Sequence, residues 1–326
     1  MPIKEMPLVS ILIRSMDRPM LQRAMQSAAR QTWENVEIVV IAACGRKHRP
    51  LPEQILGRPV RLIHPEPDRK LPRPEAANLA LESARGEWLN FLDDDDELFP
   101  EHLHTLLDAP RNPDARVLYS RSEVRDATGT VTGHCGFDSH PMRFFYETLM
   151  TPNATLFARS LVQEGARFDP AFTVYEDHDF FLNCATRTPI AFIDRATCIW
   201  NAHDGESGLG HGANRGTAQR AELSSALRRK WARVFDRWAR EPGVLLGLGQ
   251  HYLKSGDFAA ARDCLESALR LWPNDVNALN LCGMANLHHG DAQRAETLLA
   301  RALALLPTHR GLQENLALIR ARRATG

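Results

Sequence analysis

The chain has 326 residues, which is enough for two domains or for one large domain with an appendage. Forty Lys and Arg residues balance forty Asp and Glu residues, so the overall charge gives no reason to expect a nucleic-acid partner or binding to an anionic membrane. The six cysteines are scattered without a CxxC pair, the N-terminus lacks an apolar signal segment, and no run approaches the length of a membrane span. We therefore expect a cytoplasmic protein with no transmembrane segment, whose contact with a membrane, if any, is peripheral to the inner face.

The N-terminal part of the chain alternates short apolar runs with amphipathic stretches. The runs predict strands at residues 8–13, 36–43, 60–63 and 88–92, and the stretches predict helices at residues 20–31 and 75–83. This β-α-β-β-α-β order is typical of an α/β fold with a mostly parallel, Rossmann-like sheet that helices cover on both faces. Because loops at the carboxyl ends of such strands meet at one edge of the sheet, we expect a functional site there.

The pattern continues beyond this first alternation. It predicts a helix at residues 101–108, a strand at 115–122 and a hairpin whose turn contains Gly129. Two short apolar runs, residues 190–193 and 197–200, predict two further strands.

Four successive carboxylates, Asp93 to Asp96, follow the strand predicted at residues 88–92. Adjacent carboxylates repel one another, so a fold that holds them together usually supplies a cation, and hard oxygen ligands suit Mg²⁺ or Mn²⁺. A solvated acidic turn is the alternative, and an acidic run by itself usually has that meaning. The buried strand before the run favours a functional site, because ligands of open α/β sheets bind beyond the carboxyl ends of the strands.

A second acidic cluster, Glu176 and Asp177, precedes apolar residues at helical spacing, at Phe180, Phe181 and Cys184. The spacing predicts a helix whose first turn contains both carboxylates. Negative side chains stabilise a helix N-terminus, so the pair has a structural explanation that requires no catalytic role. The residues by themselves leave both explanations open.

The chain from residue 217 onward has a different pattern. A strongly basic stretch, residues 218–240, predicts one long helix. Beyond it, pairs of matching residues recur 34 positions apart: Gly256 and Gly290, Asp257 and Asp291, Ala261 and Ala295, Leu265 and Leu299, Ala268 and Ala302, Pro273 and Pro307. This period resembles the tetratricopeptide repeat, and a generic array of helical hairpins is the weaker alternative. Two repeats and a final helix at residues 311–322 are near the minimum for a stable stack, so we expect the basic helix to cap it.

The N-terminal segments, taken together, resemble the family 2 glycosyltransferases of the GT-A fold. The matching segments follow the family's order within residues 7–205: residues 9–13, Arg18 with Pro19, Gln31 with Thr32, residues 37–41, Ala77 with Asn78, residues 86–96, Phe168 with Asp169, and Glu176 with Asp177. The resemblance implies a metal-dependent, inverting enzyme with Mn²⁺ or Mg²⁺ as its cofactor. Such an enzyme transfers a sugar from a nucleotide-diphosphate donor to a saccharide or protein acceptor.

The resemblance also implies roles for single residues. The family pattern at the acidic run is Asp-X-Asp-Asp, which implies donor contacts for Asp93 and Asp94 and metal ligation by Asp95. Asp177, in the matching Glu-Asp motif, is implied as the general base that takes the proton of the acceptor hydroxyl. His203 is implied as a further metal ligand, and an incidental histidine is the alternative. Four residues lie in loops that relatives use around the nucleotide, with surface solvation as the alternative: Arg14, Asp17, Arg73 and Asn78.

Two positions depart from the family's pattern. Many relatives end the second strand with two aspartates, one of which reads the nucleobase, whereas this chain has Ala42 and Ala43. Met16 stands where relatives carry an aromatic residue near the first loop. A carboxylate that reads uracil and a stacking ring are therefore both missing, and main-chain groups are the remaining candidates for recognition of the base.

We expect three parts in the chain: a glycosyltransferase domain over residues 1–216, a linking or capping helix over 217–240, and repeats over 241–326. The repeats offer a surface to a protein partner, to a protein acceptor or to a second copy of the chain. The alternative function is a catalytically inactive scaffold, which the two alanines favour. The intact acidic run favours the enzyme, because an inactive domain has no chemical reason to keep these carboxylates together.

Overall fold

The computed structural model describes residues 6–202, 217–241 and 243–325. The chain forms two compact units, Met1–Lys230 and Trp231–Gly326. The division between the units lies inside the segment 217–240, which the sequence predicts as one linking helix. The predicted domain boundaries at residues 216 and 240 stay predictions.

Strands and helices alternate in the first unit. Its strands are β1 (Val9–Ser15), β2 (Val36–Ala42), β3 (Gln54–Ile55), β4 (Arg58–Ile63), β5 (Trp88–Asp93), β6 (Glu97–Leu98), β7 (Val117–Arg125), β8 (Val131–Cys135), β9 (Thr155–Ala158) and β10 (Ile190–Asn201). Its helices are α1 (Leu21–Ala29), α2 (Arg73–Ser83), α3 (His102–Asp108), α4 (Arg159–Gln163), α5 (Glu176–Ala185) and α6 (Thr217–Lys230). Short 3-10 helices in the connections span Gly45–Lys47, Pro141–Phe145 and Pro152–Ala154.

The strands form one sheet in the order β3-β4-β2-β1-β5-β9-β7-β10-β6, with β8 paired to β7. β1 pairs in parallel with β2 and β5, β2 pairs in parallel with β4, and β7 pairs in parallel with β10. β9 is antiparallel to both β5 and β7, so β7 and β10 run in the same direction as β1, β2, β4 and β5. This mixed sheet with mostly parallel strands confirms the predicted α/β fold class.

Helices cover both faces of the sheet. Alternate residues of β1, including Ile11 and Ile13, pack with α1 and α3 in one core. Phe91 of β5 points to the opposite face, where its ring centre lies 5.4 Å from that of Phe168. Phe168 in turn stacks on Phe180 of α5 at 4.2 Å. α5 is thereby held against the sheet by aromatic contacts, which add to the free energy of apolar burial.

The last strand differs from the prediction. The sequence predicts two short strands at residues 190–193 and 197–200, whereas β10 runs without interruption over Ile190–Asn201. The predicted break is wrong, because the polar residues between the two runs stay in the strand where its register with β7 shifts. A register irregularity of this kind accommodates extra residues without ending the strand. β10 thus reaches the edge of the sheet at which β1 and β5 end.

The described residues of the second unit form helices joined by short turns. The helices are α7 (Ala232–Ala239), α8 (Val244–Ser255), α9 (Phe258–Leu271), α10 (Val276–His288), α11 (Ala292–Leu305) and α12 (Arg310–Thr325). From α8 to α12, each helix packs against the next. Asp257 and Asp291, which are 34 residues apart, cap α9 and α11 by accepting hydrogen bonds from the main-chain N–H groups of Ala260 and Arg294. The repeated sequence therefore produces repeated local structure.

Two glycines show why small residues recur in this unit. A Cβ atom added to Gly249 of α8 would lie 2.5 Å from Cγ of Leu265 in α9. A Cβ atom added to Gly283 of α10 would clash with Leu299 of α11, at the equivalent position 34 residues later. In each of the two pairs, the helices therefore lie too close together to admit a side chain at the glycine, as the tetratricopeptide pattern predicts.

The basic stretch at residues 218–240 forms two helices, so the prediction of one long helix is wrong. Trp231 separates α6 from α7, and its φ of −102° and ψ of 23° lie outside the α-helical range. α6 belongs to the first unit, whereas α7 packs against α8 within the second. Among the described residues, no helix is both long enough and apolar enough to cross a membrane.

Candidate active site

The carboxyl ends of β1 and β5 lie side by side at one edge of the sheet. The two strands are parallel, and Arg14 of β1 stands opposite Asp93 of β5. Beyond these residues the chain turns away from the sheet, and a cavity opens. Side chains from the ends of β1, β5 and β10 and from the first turns of α2 and α5 line this cavity. It lies at the edge of the sheet where the sequence predicts a functional site.

Three carboxylates of the acidic run lie together at the cavity. Asp93, Asp95 and Asp96 each contribute one oxygen to a group whose members all lie within 4.8 Å of one another. Burial, followed by the charge of Asp93, raises the pKa of Asp95 to about 6. Burial and the charge of Asp95 raise the pKa of Asp96 well above its ordinary value. A cation bound between the three carboxylates would relieve this repulsion.

Asp96 also ties the acidic turn to the end of β10. Its Oδ1 accepts a hydrogen bond from the main-chain N–H of Asn201 at 2.9 Å, and its Oδ2 accepts one from Nδ2 of Asn153 at 3.1 Å. Nδ2 of Asn201 donates to the main-chain oxygen of Asp95 at 2.7 Å. These bonds fix the end of β10 next to the carboxylates. His203, two residues further on, lies outside the described residues, and its role as a metal ligand stays a prediction.

Two arginines join Asp93 to the start of α5. Arg14 Nη2 lies 2.6 Å from Oδ1 of Asp93, and Arg14 Nη1 lies 3.3 Å from Oε1 of Glu176. Arg73 Nε, in the first turn of α2, lies 2.8 Å from the same oxygen of Glu176. Burial by itself would raise the pKa of Asp93, but the charges of Arg14 and then Arg73 outweigh it and hold this pKa below its usual range. The network therefore connects four elements around the cavity.

A third arginine, Arg18, pairs with the other carboxylates of the run. Its guanidinium contacts Asp94, and its Nη2 lies 3.1 Å from Oδ2 of Asp95. The main-chain N–H of Met16 also donates to Oδ2 of Asp94 at 3.1 Å. Neither Arg18 nor Asp96 has a role predicted from the sequence. Their positions could have indicated one, because Arg18 lies in the loop after β1 and Asp96 is the fourth carboxylate of the run.

Asp177 lines the same cavity as the acidic run. It lies in the first turn of α5, where its Oδ1 accepts a hydrogen bond from the main-chain N–H of His178 at 2.9 Å. Tyr175, just before the helix, has a φ of 63°, a left-handed conformation that side chains rarely adopt. This turn brings Glu176 and Asp177 to the cavity. Asp177 therefore lies both at a helix N-terminus, as the structural explanation requires, and at the cavity, as a catalytic role requires.

Two of the predicted donor-binding residues have other partners. Asp17 lies outside the lining of the cavity and pairs with Arg49, whose Nε is 3.0 Å from its Oδ1. Asn78 also lies outside the lining and bonds twice to the main chain of Phe168: it donates to the oxygen at 2.8 Å and accepts from the N–H at 2.9 Å. The structure thus gathers Arg14, Arg73, Asp93, Asp94, Asp95 and Asp177 around one cavity. The roles of these residues, and those of Asp17 and Asn78, stay predictions.

The part of the cavity nearest the end of β2 is lined by Met16, Ala43 and Leu71. The main-chain groups of Ala43 are already bonded within the protein. Its N–H donates to the oxygen of Ser15 at 2.8 Å, and its oxygen accepts from the N–H of Leu71 at 2.8 Å. If the main chain of Ala43 contacts a base, its N–H and its oxygen must therefore bond to the base as well as to Ser15 and Leu71.

Comparison with known proteins gives two family matches. The family model of Glycosyl transferase family 2 matches residues 10–160, and that of the Tetratricopeptide repeat matches residues 246–310. An uncharacterised glycosyltransferase of Haemophilus influenzae is 31% identical over 114 residues, which cover 34% of this chain and 38% of the relative. An uncharacterised glycosyltransferase of Methanocaldococcus jannaschii is 21% identical over 187 residues, which cover 55% of this chain and 64% of the relative. The chain thus spans less than two thirds of the length of either relative.

Among solved structures, the crystal structure of residues 1–349 of S. aureus TarS in complex with UDP-GlcNAc is similar to this chain. The similarity covers 93% of both chains, with a TM-score of 0.50 and 15% sequence identity. At this level of identity the similarity concerns the fold. Together with the two family matches, it identifies the architecture of both parts of the chain. Residues 10–160 thus match glycosyltransferase family 2, in a first unit with a GT-A-type fold, and residues that match the tetratricopeptide repeat follow them.

Proposed function

We propose that the chain is an inverting, metal-dependent glycosyltransferase that transfers a sugar from a nucleotide-diphosphate donor to a saccharide or protein acceptor. The observation that carries the proposal is the position of two acidic groups on one cavity: the run at the end of β5, and Asp177 at the start of α5. Sugar transfer requires a charged region for the diphosphate and its cation, and a base on the other side of the sugar. The cavity offers candidates for both.

The acidic run fits a divalent cation. The oxygens of Asp93, Asp95 and Asp96 lie within 4.8 Å of one another, and carboxylate oxygens are the ligands that Mg²⁺ and Mn²⁺ prefer. Both oxygens of Asp96 already accept hydrogen bonds, so we assign Asp95 as the principal ligand from this cluster, with His203 as a further candidate. When bound, the cation supplies positive charge to the diphosphate leaving group.

The arginines supply positive charge that belongs to the chain itself. Arg14 and Arg73 both line the cavity, next to Asp93 and Glu176. We assign them to the donor diphosphate, where the planar guanidinium suits paired hydrogen bonds to phosphate oxygens. Their present carboxylate partners keep them in place before a donor binds. Asp94, held by Arg18 and by the main chain of Met16, is assigned to the donor as well.

We assign Asp177 as the general base. As the acceptor oxygen forms a bond to C1 of the sugar, the bond from C1 to the β-phosphate oxygen breaks, and the nucleoside diphosphate leaves with the bonding electrons. The proton of the acceptor hydroxyl moves to a carboxylate oxygen of Asp177. Attack from the face opposite the leaving group inverts the configuration at C1. The tetratricopeptide repeats are assigned to an acceptor protein, to another protein partner or to self-association.

The test is a panel of nucleotide sugars, each with and without Mn²⁺, monitored by thermal unfolding and by release of the nucleoside diphosphate. UDP-GlcNAc belongs in the panel because the structurally similar TarS fragment was solved with it. We expect at least one donor to raise the unfolding temperature with Mn²⁺ and to be slowly hydrolysed, with water in place of the acceptor. If no nucleotide sugar binds across a broad panel, the proposal is wrong and an inactive scaffold, with repeats that bind a partner, explains the chain better.

A further inference from the structure

The last residue of α6, Lys230, contacts two carboxylates that are ten residues apart. Its Nζ lies 2.7 Å from Oδ2 of Asp169 and 2.8 Å from Oδ2 of Asp179. The side chain of Asp179 is fully buried, so its charge has no access to bulk water. Lys230 Nζ also lies 5.2 Å from the centre of the Phe172 ring, between the two carboxylates in sequence. One ammonium group thus fixes both ends of the segment 169–179.

The segment 169–179 forms the wall of the cavity that contains Asp177, the proposed base. Val174, Tyr175, Glu176 and Asp177 all line the cavity. Asp179 follows Asp177 in the first turn of α5, and its main-chain N–H donates to the oxygen of Tyr175 at 3.0 Å. Any shift of Asp179 is therefore transmitted directly to the turn that holds Asp177.

The turn before α5 needs external support. The left-handed conformation of Tyr175 is unfavourable for a residue with a side chain, and such conformations persist where surrounding contacts over-determine them. α6 supplies contacts of this kind beyond Lys230. Leu227 of α6 is 2% exposed, and it lines a small cavity together with Tyr175 and with His178 of α5. α6 is thus packed against the part of the first unit that carries the turn.

We propose that Lys230 is a positioning residue for sugar transfer: by pairing with Asp169 and Asp179 it holds the segment 169–179 in the conformation that places Asp177 at the cavity. The role of Asp177 in this inference rests on the proposed function, whereas the effect of Lys230 on the segment does not. The inference makes α6, which follows the segment matched to the glycosyltransferase family, a part of the active site's support.

Hydrogen exchange in the full-length protein tests the effect on the segment without any assay of activity. In Lys230→Met, we expect amide exchange in residues 175–180 to accelerate at least about tenfold, which corresponds to 1.4 kcal/mol of lost local stability. Exchange in β1 and β5 should stay unchanged. Arg229→Met, which removes a positive charge from the exposed neighbouring residue, is the matched control and should behave like the wild type. Lys230→Arg should retain most of the protection, because it keeps the charge.

A double variant keeps the inference testable if Lys230→Met folds poorly. The loss in that variant comes from removing the ammonium group of Lys230 from the buried carboxylate of Asp179. Lys230→Met combined with Asp179→Asn removes both charges, so protection of residues 175–180 should be greater than in Lys230→Met. Equal exchange in Lys230→Met and Arg229→Met would overturn the inference. So would acceleration spread evenly over the first unit, which would indicate general destabilisation.

Kinetics then connect the segment to the reaction. For a donor that the wild type hydrolyses, Lys230→Met should lower kcat by about ten- to a hundredfold, as expected for a slightly misplaced catalytic group, with little change in the donor KM. In an Asp177→Asn background the same substitution should lower kcat much less, because Lys230 acts through Asp177. An equal loss in both backgrounds, or a loss confined to KM, would show that Lys230 does not position the base. If no donor is hydrolysed, the proposed function fails while the exchange result still decides the effect on the segment.

Discussion

Replacement of Asp177 by asparagine separates catalysis from stability. Asp177→Asn keeps the shape of the side chain and an oxygen that can accept the N–H of His178, but it removes the basic site. The lost charge at the start of α5 costs about 0.3–1 kcal/mol of folding free energy, because an anion is stabilised there by the helix dipole. General-base assistance is worth about 10²–10⁴ in rate, so transfer should fall by that factor. Binding of donor and metal should survive, because these contacts are assigned to other residues.

The assay measures three quantities on the same protein samples: the rate of nucleoside diphosphate release, donor affinity by calorimetry, and the unfolding temperature. Asp108→Asn is the matched control, because Asp108 is exposed and lies outside the cavity. Its rate and affinity should equal those of the wild type. A rate for Asp177→Asn within a few-fold of the wild type would refute the assignment of the base. Loss of donor affinity would instead place Asp177 at the nucleotide or the metal.

Three further predictions concern the repeats, the contact of α2 with Phe168, and the nucleobase. Gly283→Ala should lower the free energy of unfolding of the second unit by about 1–3 kcal/mol in chemical denaturation, because the added methyl group overpacks Leu299. Gly247→Ala, which has open space around it, is the control and should raise this free energy by about 0.4–1 kcal/mol; equal effects of the two substitutions would contradict the packing. Asn78→Ala should lower the free energy of unfolding by about 1–3 kcal/mol, because two hydrogen bonds are lost, and should leave donor affinity unchanged. Weaker donor binding in calorimetry would instead place Asn78 at the donor. Because alanine at position 43 has no side-chain group that can bond to the base, competition experiments should find UDP preferred over other nucleoside diphosphates by less than about a hundredfold, nearly 3 kcal/mol. A higher ratio would show that another group recognises the base.

Local patterns in the sequence predict much of the first unit. The apolar runs predict β1, β2 and β5 because a buried parallel strand needs apolar residues on both faces. The place of the acidic run follows from the rule that such strands carry ligand sites at their carboxyl ends. The 34-residue period predicts the repeats because each helix pair needs the same small residues at its contact.

Long-range pairing is what the sequence does not predict. β9 lies antiparallel between β5 and β7, and no local signal in the sequence specifies the strands with which so short a strand pairs. Arg14 and Glu176 are 162 residues apart, so their contact depends on the completed fold. The break between α6 and α7 at Trp231 also cannot be predicted, because a continuous helical pattern does not indicate that its two halves belong to different units.

In the proposed function, the carboxylate cluster at the end of β5 binds a nucleotide-diphosphate sugar through a divalent cation. Calorimetric titration of the donor identified by the panel, with and without Mn²⁺, tests it most directly in the wild type and in Asp95→Ala. We predict that Mn²⁺ strengthens donor binding to the wild type and that Asp95→Ala abolishes this dependence on Mn²⁺ while the protein stays folded. Equal Mn²⁺-dependent affinity in a folded Asp95→Ala variant would contradict the assignment of the metal site.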